Sequence, residues 1–276
     1  MTPDILYKYL SFPGGLKTLL GTSLRYRHPN EFNDPFEFMP GGYTGDTLQE
    51  RQRRVYELLC TNPKYRESYN QIYNSSFSED EWNRMIINRD SKVADFISDD
   101  FVNSIFDNLQ RRDWTIFREK ASKDIVFCSF SQRPDNILMW SHYAGEHRGI
   151  VIGFSSSYFD RLHKVKYEKK RALIPLSSTV NDDDFKLAAE NVMTTKSLQW
   201  SYEEEWRQII PYEEVYNEES LLLKKFPPEA VLIVIFGCQM SCEEKDEIKS
   251  VLADFSNSPE IKQAILNQRN FALDLI

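Results

Sequence analysis

The sequence predicts an α+β fold: one domain over residues 1–276, with a β-sheet core and a large helical insertion at 46–122. Three observations carry this. Short β-type runs at Leu6–Leu10, Ile125–Cys128, Ile150–Phe154 and Val231–Phe236 lie on both sides of a long polar middle. That middle has no glycine between Gly45 and Gly145, and its apolar residues recur at helical spacing. A chain of 276 residues is also long enough to bury a sizeable core.

Taken in order, Leu6–Leu10 reads as a strand ended by Pro13-Gly14-Gly15, followed by a helix through Leu16, Leu19 and Leu20. Ser23–Arg27 reads as a second strand. The loop Pro29–Glu37 is stiffened by two prolines, anchored by Phe32 and Phe36, and presents Asn33 and Asp34 at its tip. An Asn-Asp-Pro turn equally suits side chains that cap their own backbone. In the middle, Thr47–Leu59 and Ser78–Asn88 are helical in pattern, the second after a Ser-Glu-Asp-Glu capping signature. Ser91–Asn108 places Val93, Phe96, Ile97, Phe101, Ile105 and Leu109 at helical spacing, and Asp113–Ala121 continues it. The expected role of 46–122 is a lid, a substrate-selecting subdomain or a dimerisation arm.

Phe127–Phe154 reads as strand, turn, short helix, glycine turn and strand, with Asp135 or Asn136 capping a helix from Ile137. That helix is apolar almost all round, which predicts burial, so that Ser141 and His142 need polar partners inside. Further on, His163–Tyr167 reads as a strand and Asp182–Leu198 as a helix. In a strand through Glu203–Ile210, Glu203, Glu205 and Arg207 share one face, with Trp206 and Ile210 on the other. Arg207 then keeps Glu205 ionised; the plainer reading is an edge strand with a surface Glu–Arg pair. Val231–Phe236 is a buried strand, and Cys242–Phe255 and Pro259–Leu266 read as closing helices.

Composition narrows the chemistry. A net charge of −8 argues against holding nucleic acid by bulk phosphate attraction. Cys60, Cys128, Cys238 and Cys242 are too scattered for a disulfide framework, and nothing completes Cys238-x-x-x-Cys242 as a metal site. No signal peptide or membrane span is readable, and a cytoplasmic location is expected. There is no Gly-rich phosphate loop, nucleophile elbow or H-E-x-x-H motif, and four histidines make a histidine-rich metal centre a poor fit. The segments of Asn33, Asp34, His142 and Glu205 look stiff for surface loops and carry aromatic anchors, so these four residues are expected to meet in one cleft.

LYKYLS near the start, FNDPFE at Phe32–Glu37, FCSFS, LMWSHYA, HRGIVIGF and YEEEWR together resemble a widespread bacterial family of domains of unknown function, often found near mobile elements and defence genes. More distantly, the order of motifs is similar to that of ADP-ribosyltransferases, which bind NAD in a split-sheet α+β fold. This second resemblance implies that the β-sheet core is split and mixed. It also implies an NAD-consuming transferase or glycohydrolase, in a defence or toxin setting, with NAD as substrate and an unidentified macromolecular acceptor. It implies Glu205 as the catalytic carboxylate and Glu203 as the residue orienting or deprotonating the acceptor. His142 is a third catalytic candidate. Lys8 or Tyr9 would stand where the family has His or Arg, a departure from its pattern. Ser129 and Ser131 would position the ribose, and Tyr9, Trp140 and Tyr143 would stack on nicotinamide. Asn33, Asp34 and Arg207 complete the expected cofactor-binding set. The alternatives are a metal-dependent nuclease or phosphohydrolase with Mg²⁺ on Asp34, Glu203 and Glu205, and a non-catalytic nucleotide-sensing or protein-binding module.

Overall fold

The structure is a computed structural model that describes residues 2–42, 48–88, 98–100, 103–104, 107, 115–174 and 183–276. It divides into two compact units, one of Met1–Glu37, Phe117–Lys169 and Lys196–Ile276, the other of Phe38–Ile116 and Lys170–Thr195. The strands are β1 (Ile5–Leu10), β2 (Ser23–Tyr26), β3 (Ile125–Ser131), β4 (Ile150–Ser155), β5 (Leu162–Lys164), β6 (Lys166–Glu168), β7 (Thr195–Ser197), β8 (Glu205–Pro211), β9 (Tyr216–Glu218), β10 (Leu221–Lys225), β11 (Val231–Phe236), β12 (Glu260–Leu266) and β13 (Leu273–Leu275). The helices are α1 (Phe12–Gly21), α2 (Leu48–Thr61), α3 (Pro63–Ile72), α4 (Glu79–Asn88), α5 (Thr115–Asp124), α6 (Ile137–Tyr143), α7 (Asp183–Met193) and α8 (Cys242–Leu252).

The first unit is built on an eight-stranded sheet in the order β13-β12-β11-β4-β1-β3-β8-β5. Every pairing is antiparallel except β11 with β12, which α8 connects, so the sheet is mixed. Alternation along the strands sorts the two faces. One face carries Leu6, Val126, Cys128, Phe130, Ile152, Phe154, Trp206 and Ile210, packed with Leu19 of α1, Ile248 and Leu252 of α8, and Leu24 and Leu222 of the small β2-β10-β9 sheet. The other carries Tyr9, Val151, Ile233, Ile235 and Ala264 under Met139 and Trp140 of α6. Glu205 and Arg207 alternate with Trp206 and so belong to the α6 face. At Gly149, a Cβ would stand 2.1 Å from the Leu10 carbonyl oxygen, so the entry to β4 is closed to any larger residue.

The second unit contains α2, α3, α4 and α7. Trp82 of α4 is buried and donates its indole N–H to the Leu59 carbonyl at 2.8 Å. Gly41 donates to the Ala172 carbonyl and Ile174 to the Gly42 carbonyl, which ties the unit's two chain segments together. The helix predicted over Ser91–Asn108 has its six apolar positions outside the described residues.

Several elements differ from the sequence reading. Pro13-Gly14-Gly15 lies inside the first turn of α1, not before it, because Ser11 caps the helix and Pro tolerates that turn. Pro259–Leu266 is strand β12, not a helix. Ile261, Ala264 and Ile265 have helical spacing, but parallel pairing with Ile233–Phe236 of β11 overrides that local pattern. The helix expected over Asp182–Leu198 stops at Met193, and Thr195–Ser197 pairs with β6 as β7. His163–Tyr167 breaks at Val165, whose N–H goes to the Glu205 carbonyl, and becomes β5 and β6. Finally, α6 is half-exposed rather than enclosed: Trp140 is fully buried while Leu138 is 43 % exposed. No described helix is long and apolar enough to cross a membrane.

Candidate functional site

Three carboxylates and two cations meet beneath α6. β8 supplies Glu205 and Arg207, the 3-10 turn Leu198–Glu203 supplies Glu203, and Lys196 comes from β7. Glu37, the last residue of the FNDPFE loop, completes the group. Lys196 Nζ lies 2.5 Å from Glu203 Oε2, 3.0 Å from Glu37 Oε1 and 3.4 Å from Glu205 Oε2. Arg207 gives Nε to Glu205 Oε1 at 2.7 Å and Nη2 to Glu37 Oε2 at 2.6 Å. All five are buried, Arg207 completely. When all are ionised the group keeps one negative charge. Such charges survive burial only because each is paired.

Local backbone explains how Glu203 and Glu205 converge. A regular strand through both was expected, but β8 begins at Glu205, and Glu204 takes a left-handed conformation with φ 43. The turn is fastened to neighbouring elements. Ser131 Oγ donates to the Glu203 carbonyl at 2.7 Å, and Asn136 Nδ2 donates to the Tyr202 carbonyl at 2.9 Å. The Asn136 side-chain oxygen also accepts from Leu138 N and Met139 N at the start of α6, so one residue caps the helix and holds the turn. Glu205 N donates to the Tyr167 hydroxyl at 2.7 Å.

The two acids are driven apart. Burial raises the Glu203 carboxyl, and Glu205 beside it raises it further, against the pull of Lys196 and of the Tyr143 hydroxyl, which donates to Glu203 Oε1 at 2.7 Å. Burial pushes Glu205 upward too, but Arg207 and then Lys196 outweigh it and hold the carboxyl well below the usual range. Lys196 is raised: burial works against its charge, and Glu205, Glu37 and Glu203 overcome it. Burial, followed by the neighbouring Glu203 charge, pushes the Tyr143 phenol up, so it stays a donor at neutral pH. Outward from Glu203, its partner Tyr143 is half-buried, and so is the neighbouring Tyr202. Exposed His142 follows, its Nδ1 3.1 Å from the Tyr202 hydroxyl.

The sequence candidates separate into those inside this site and those outside it. Glu203, Glu205, Arg207 and Tyr143 are inside. Ser131 supports the turn, Ser129 pairs with Arg207 across β3 and β8, and His142 stands at the exposed rim. Trp140 and Tyr9 form a buried edge-to-face pair with centroids 5.6 Å apart. Their polar atoms are spent on the Pro134 and Arg133 carbonyls, so they shape the floor and offer no ring surface to a ligand. Lys8 alternates with Tyr9, lies over Phe130 on the opposite face, and donates to the Ser129 carbonyl at 2.6 Å. A phosphate in the Glu203 site is therefore out of its reach. Asp34 accepts from Phe36 N at 2.9 Å, the local cap of a tight turn, and Asn33 is exposed. Of the four residues expected to meet, Glu205 lies in the site and His142 at its rim, Asp34 caps its own turn, and from that loop Glu37 and the Phe32 ring, 5.3 Å from the Arg207 guanidinium carbon, reach the cluster. His142, expected inside a buried helix, faces solvent because α6 covers the sheet with only its Met139–Trp140 side.

Sequence reasoning missed Glu37 and Lys196. Glu37 carries a faint signal, an acid ending a loop with two prolines; Lys196 carries none, being one lysine after a helical run. The Mg²⁺ set proposed from sequence does not fit. Asp34 is committed to its own turn, and the Lys196 ammonium stands between the Glu203 and Glu205 carboxylates where a cation would sit. Among the described residues no group of three or more His, Cys, Asp or Glu is arranged to hold a metal.

A family described as a protein of unknown function (DUF2971) matches residues 139–208. The matched segment holds MWSHYA, HRGIVIGF and YEEEWR, hence four of the five cluster residues less Glu37. LYKYLS, FNDPFE and FCSFS lie outside it. No curated protein and no solved structure matches the chain.

Proposed function

We propose that this protein cleaves an N-glycosidic bond of NAD or a related nucleotide and transfers the glycosyl group to water or to an acceptor hydroxyl, with Glu203 as the reactive carboxylate. The observation that supports this is the opposed pair. Two carboxylates two positions apart share Lys196, one pushed up and the other held down. Environments that drive paired acids apart assign them different roles.

In this reading the nicotinamide–ribose bond breaks with its electron pair going to the pyridine nitrogen, which becomes neutral and leaves. The ribose carbon gains oxocarbenium character, and the residual negative charge of the cluster stabilises it. The acceptor oxygen then bonds to that carbon and gives its proton to Glu203, whose raised carboxyl suits a base working near neutral pH. Tyr143 and Lys196 orient the two Glu203 oxygens. Glu205, which the motif resemblance marks as the catalytic carboxylate, becomes the fixed anion that sets the field.

Complete burial of Arg207, with Glu205 and Glu37 both bound to it, favours a second reading: the cluster as an ionic clasp in a non-catalytic nucleotide- or protein-binding module. Incubation with NAD distinguishes them. Nicotinamide release that is lost in Glu203→Gln supports the transferase reading. No release together with saturable nucleotide binding supports the module. Cleavage of nucleic acid that requires a divalent ion contradicts both.

A further inference from the structure

A groove of ≈ 490 Å³ runs between α6 and the turn joining β12 to β13, separate from the Glu203 cluster. Its size falls within the range of small-molecule sites, about 300–1,000 Å³. Half of its lining is apolar, and part of that the fold leaves uncovered: Ile137 and Leu138 are 37 % and 43 % exposed, Leu266 71 % and Phe271 101 %.

The floor is polar: Ser141 is paired, whereas His147 Nδ1 is buried without a hydrogen-bond partner among the described residues. Ser141 Oγ donates to the Ile137 carbonyl at 2.9 Å, which leaves its lone pairs to accept from His147 Nε2, also at 2.9 Å. Burial lowers the His147 imidazole, and its ring stacks on Trp140 with an interplanar angle of 12°. Glu146 and His147 both adopt left-handed backbone, φ 56 and 66, after Gly145 at φ 55. Two consecutive non-glycine residues in that region cost energy, so the surrounding contacts enforce this presentation of His147.

One lining residue is charged. Arg269 sits at the tip of the β12–β13 turn, fixed there because Asn267 Oδ1 accepts from Arg269 N at 2.9 Å and Asn270 N at 2.8 Å. The acid of the same hairpin, Asp274, is occupied by Asn267 Nδ2 at 3.1 Å from both its oxygens. Among the described residues no carboxylate lies within ion-pair distance of Arg269. A groove with apolar side chains along it and one cation that has no carboxylate partner among the described residues complements an amphipathic anion.

We infer that this groove binds a small amphipathic acid: an apolar chain along Leu138, Leu266 and Phe271, with a carboxylate at Arg269. The interaction separates into an apolar part and an ionic part, and each has its own probe. Titration calorimetry with decanoate below its micelle concentration, with decanol as the uncharged control, reads both. The expected result is saturable 1:1 binding of decanoate, at least tenfold weaker binding of decanol, and a loss of about tenfold in Arg269→Gln, the scale of one charge-assisted contact. Leu266→Ser removes an exposed side chain and should weaken both ligands without lowering the melting temperature. Equal affinity for decanoate and decanol, indifference to Arg269→Gln, or no binding of either ligand overturns the inference. So does self-association through this face that decanoate fails to reverse, which would make a second copy the occupant.

Discussion

Arg207 grips Glu205 through two hydrogen bonds at once, Nε to Oε1 at 2.7 Å and Nη2 to Oε2 at 2.9 Å. The bidentate fork fixes the carboxylate in plane, and the remaining guanidinium capacity reaches Glu37. A residue held this way is poorly suited to move protons and well suited to fix the charge of its neighbours. In the proposed reading, Glu203, bound by a lysine and a phenol, is the member that changes protonation.

Arg207→Met should therefore be severe. It leaves Glu205, Glu37 and Glu203 to share the one charge of Lys196, and breaking one side of a buried ion pair costs about 3–5 kcal/mol. Urea unfolding at neutral pH measures this. Arg207→Lys should recover little, since an ammonium cannot reproduce the fork. A loss below ~1 kcal/mol for Arg207→Met would mean that water reaches the pair.

Asn136→Ala should couple stability to the site. The substitution removes the cap on Leu138 N and Met139 N and releases the Tyr202 carbonyl. The cost is about 1–2 kcal/mol by denaturant unfolding. Amide exchange should rise at both the start of α6 and the Leu198–Glu203 turn; a rise confined to α6 would show that the turn stands without this link.

Gly149→Ala tests the seam between β1 and β4. The added methyl meets the Leu10 carbonyl oxygen, which is backbone and cannot rotate away. A loss of about 2–3 kcal/mol in thermal or urea unfolding is expected for this overpacking. A neutral outcome would place the two strands farther apart than the fold requires.

The opposed acids also dictate how stability depends on pH. Glu205 lies below the ordinary value of 4.5, so its contribution is present above pH 4.5 and is lost as pH falls through its folded-state value. Glu203 has the opposite sign. Its folded-state value lies above 4.5, so its ionisation costs stability, which declines as pH rises from 4.5 through the raised value. Glu203→Gln should flatten that decline and leave the acid limb in place. Unfolding free energies measured across this range check it, and an unchanged decline in Glu203→Gln contradicts the assignment.

Much of the sheet was legible because its strands are buried, β-branched or aromatic runs: Ile150–Phe154 and Val231–Phe236 announce themselves. Elements set by partners were not legible. β12 exists because β11 offers it an edge, and β13 because β12 does. The site divided along the same line. Glu203, Glu205 and Arg207 sit within five positions, and local spacing relates them. Glu37 and Lys196 join them only through the fold, Glu37 lying 170 positions before Arg207. Asn33 and Asp34 drew attention as polar residues in a stiff loop, yet the stiffness serves the turn itself.

The division of labour between the two acids is the central claim, and paired neutralisation tests it most directly: nicotinamide release from NAD and urea unfolding, both measured on Glu203→Gln and Glu205→Gln. The expected result is that Glu203→Gln abolishes turnover by at least about a hundredfold while keeping near-native stability. Glu205→Gln should lose several kcal/mol of stability, because its neutral amide leaves Arg207 and Lys196 short of charge (about 3–5 kcal/mol for a broken buried pair). The reverse pattern, with Glu205→Gln stable and inactive and Glu203→Gln active, would contradict the account and return the catalytic role to Glu205.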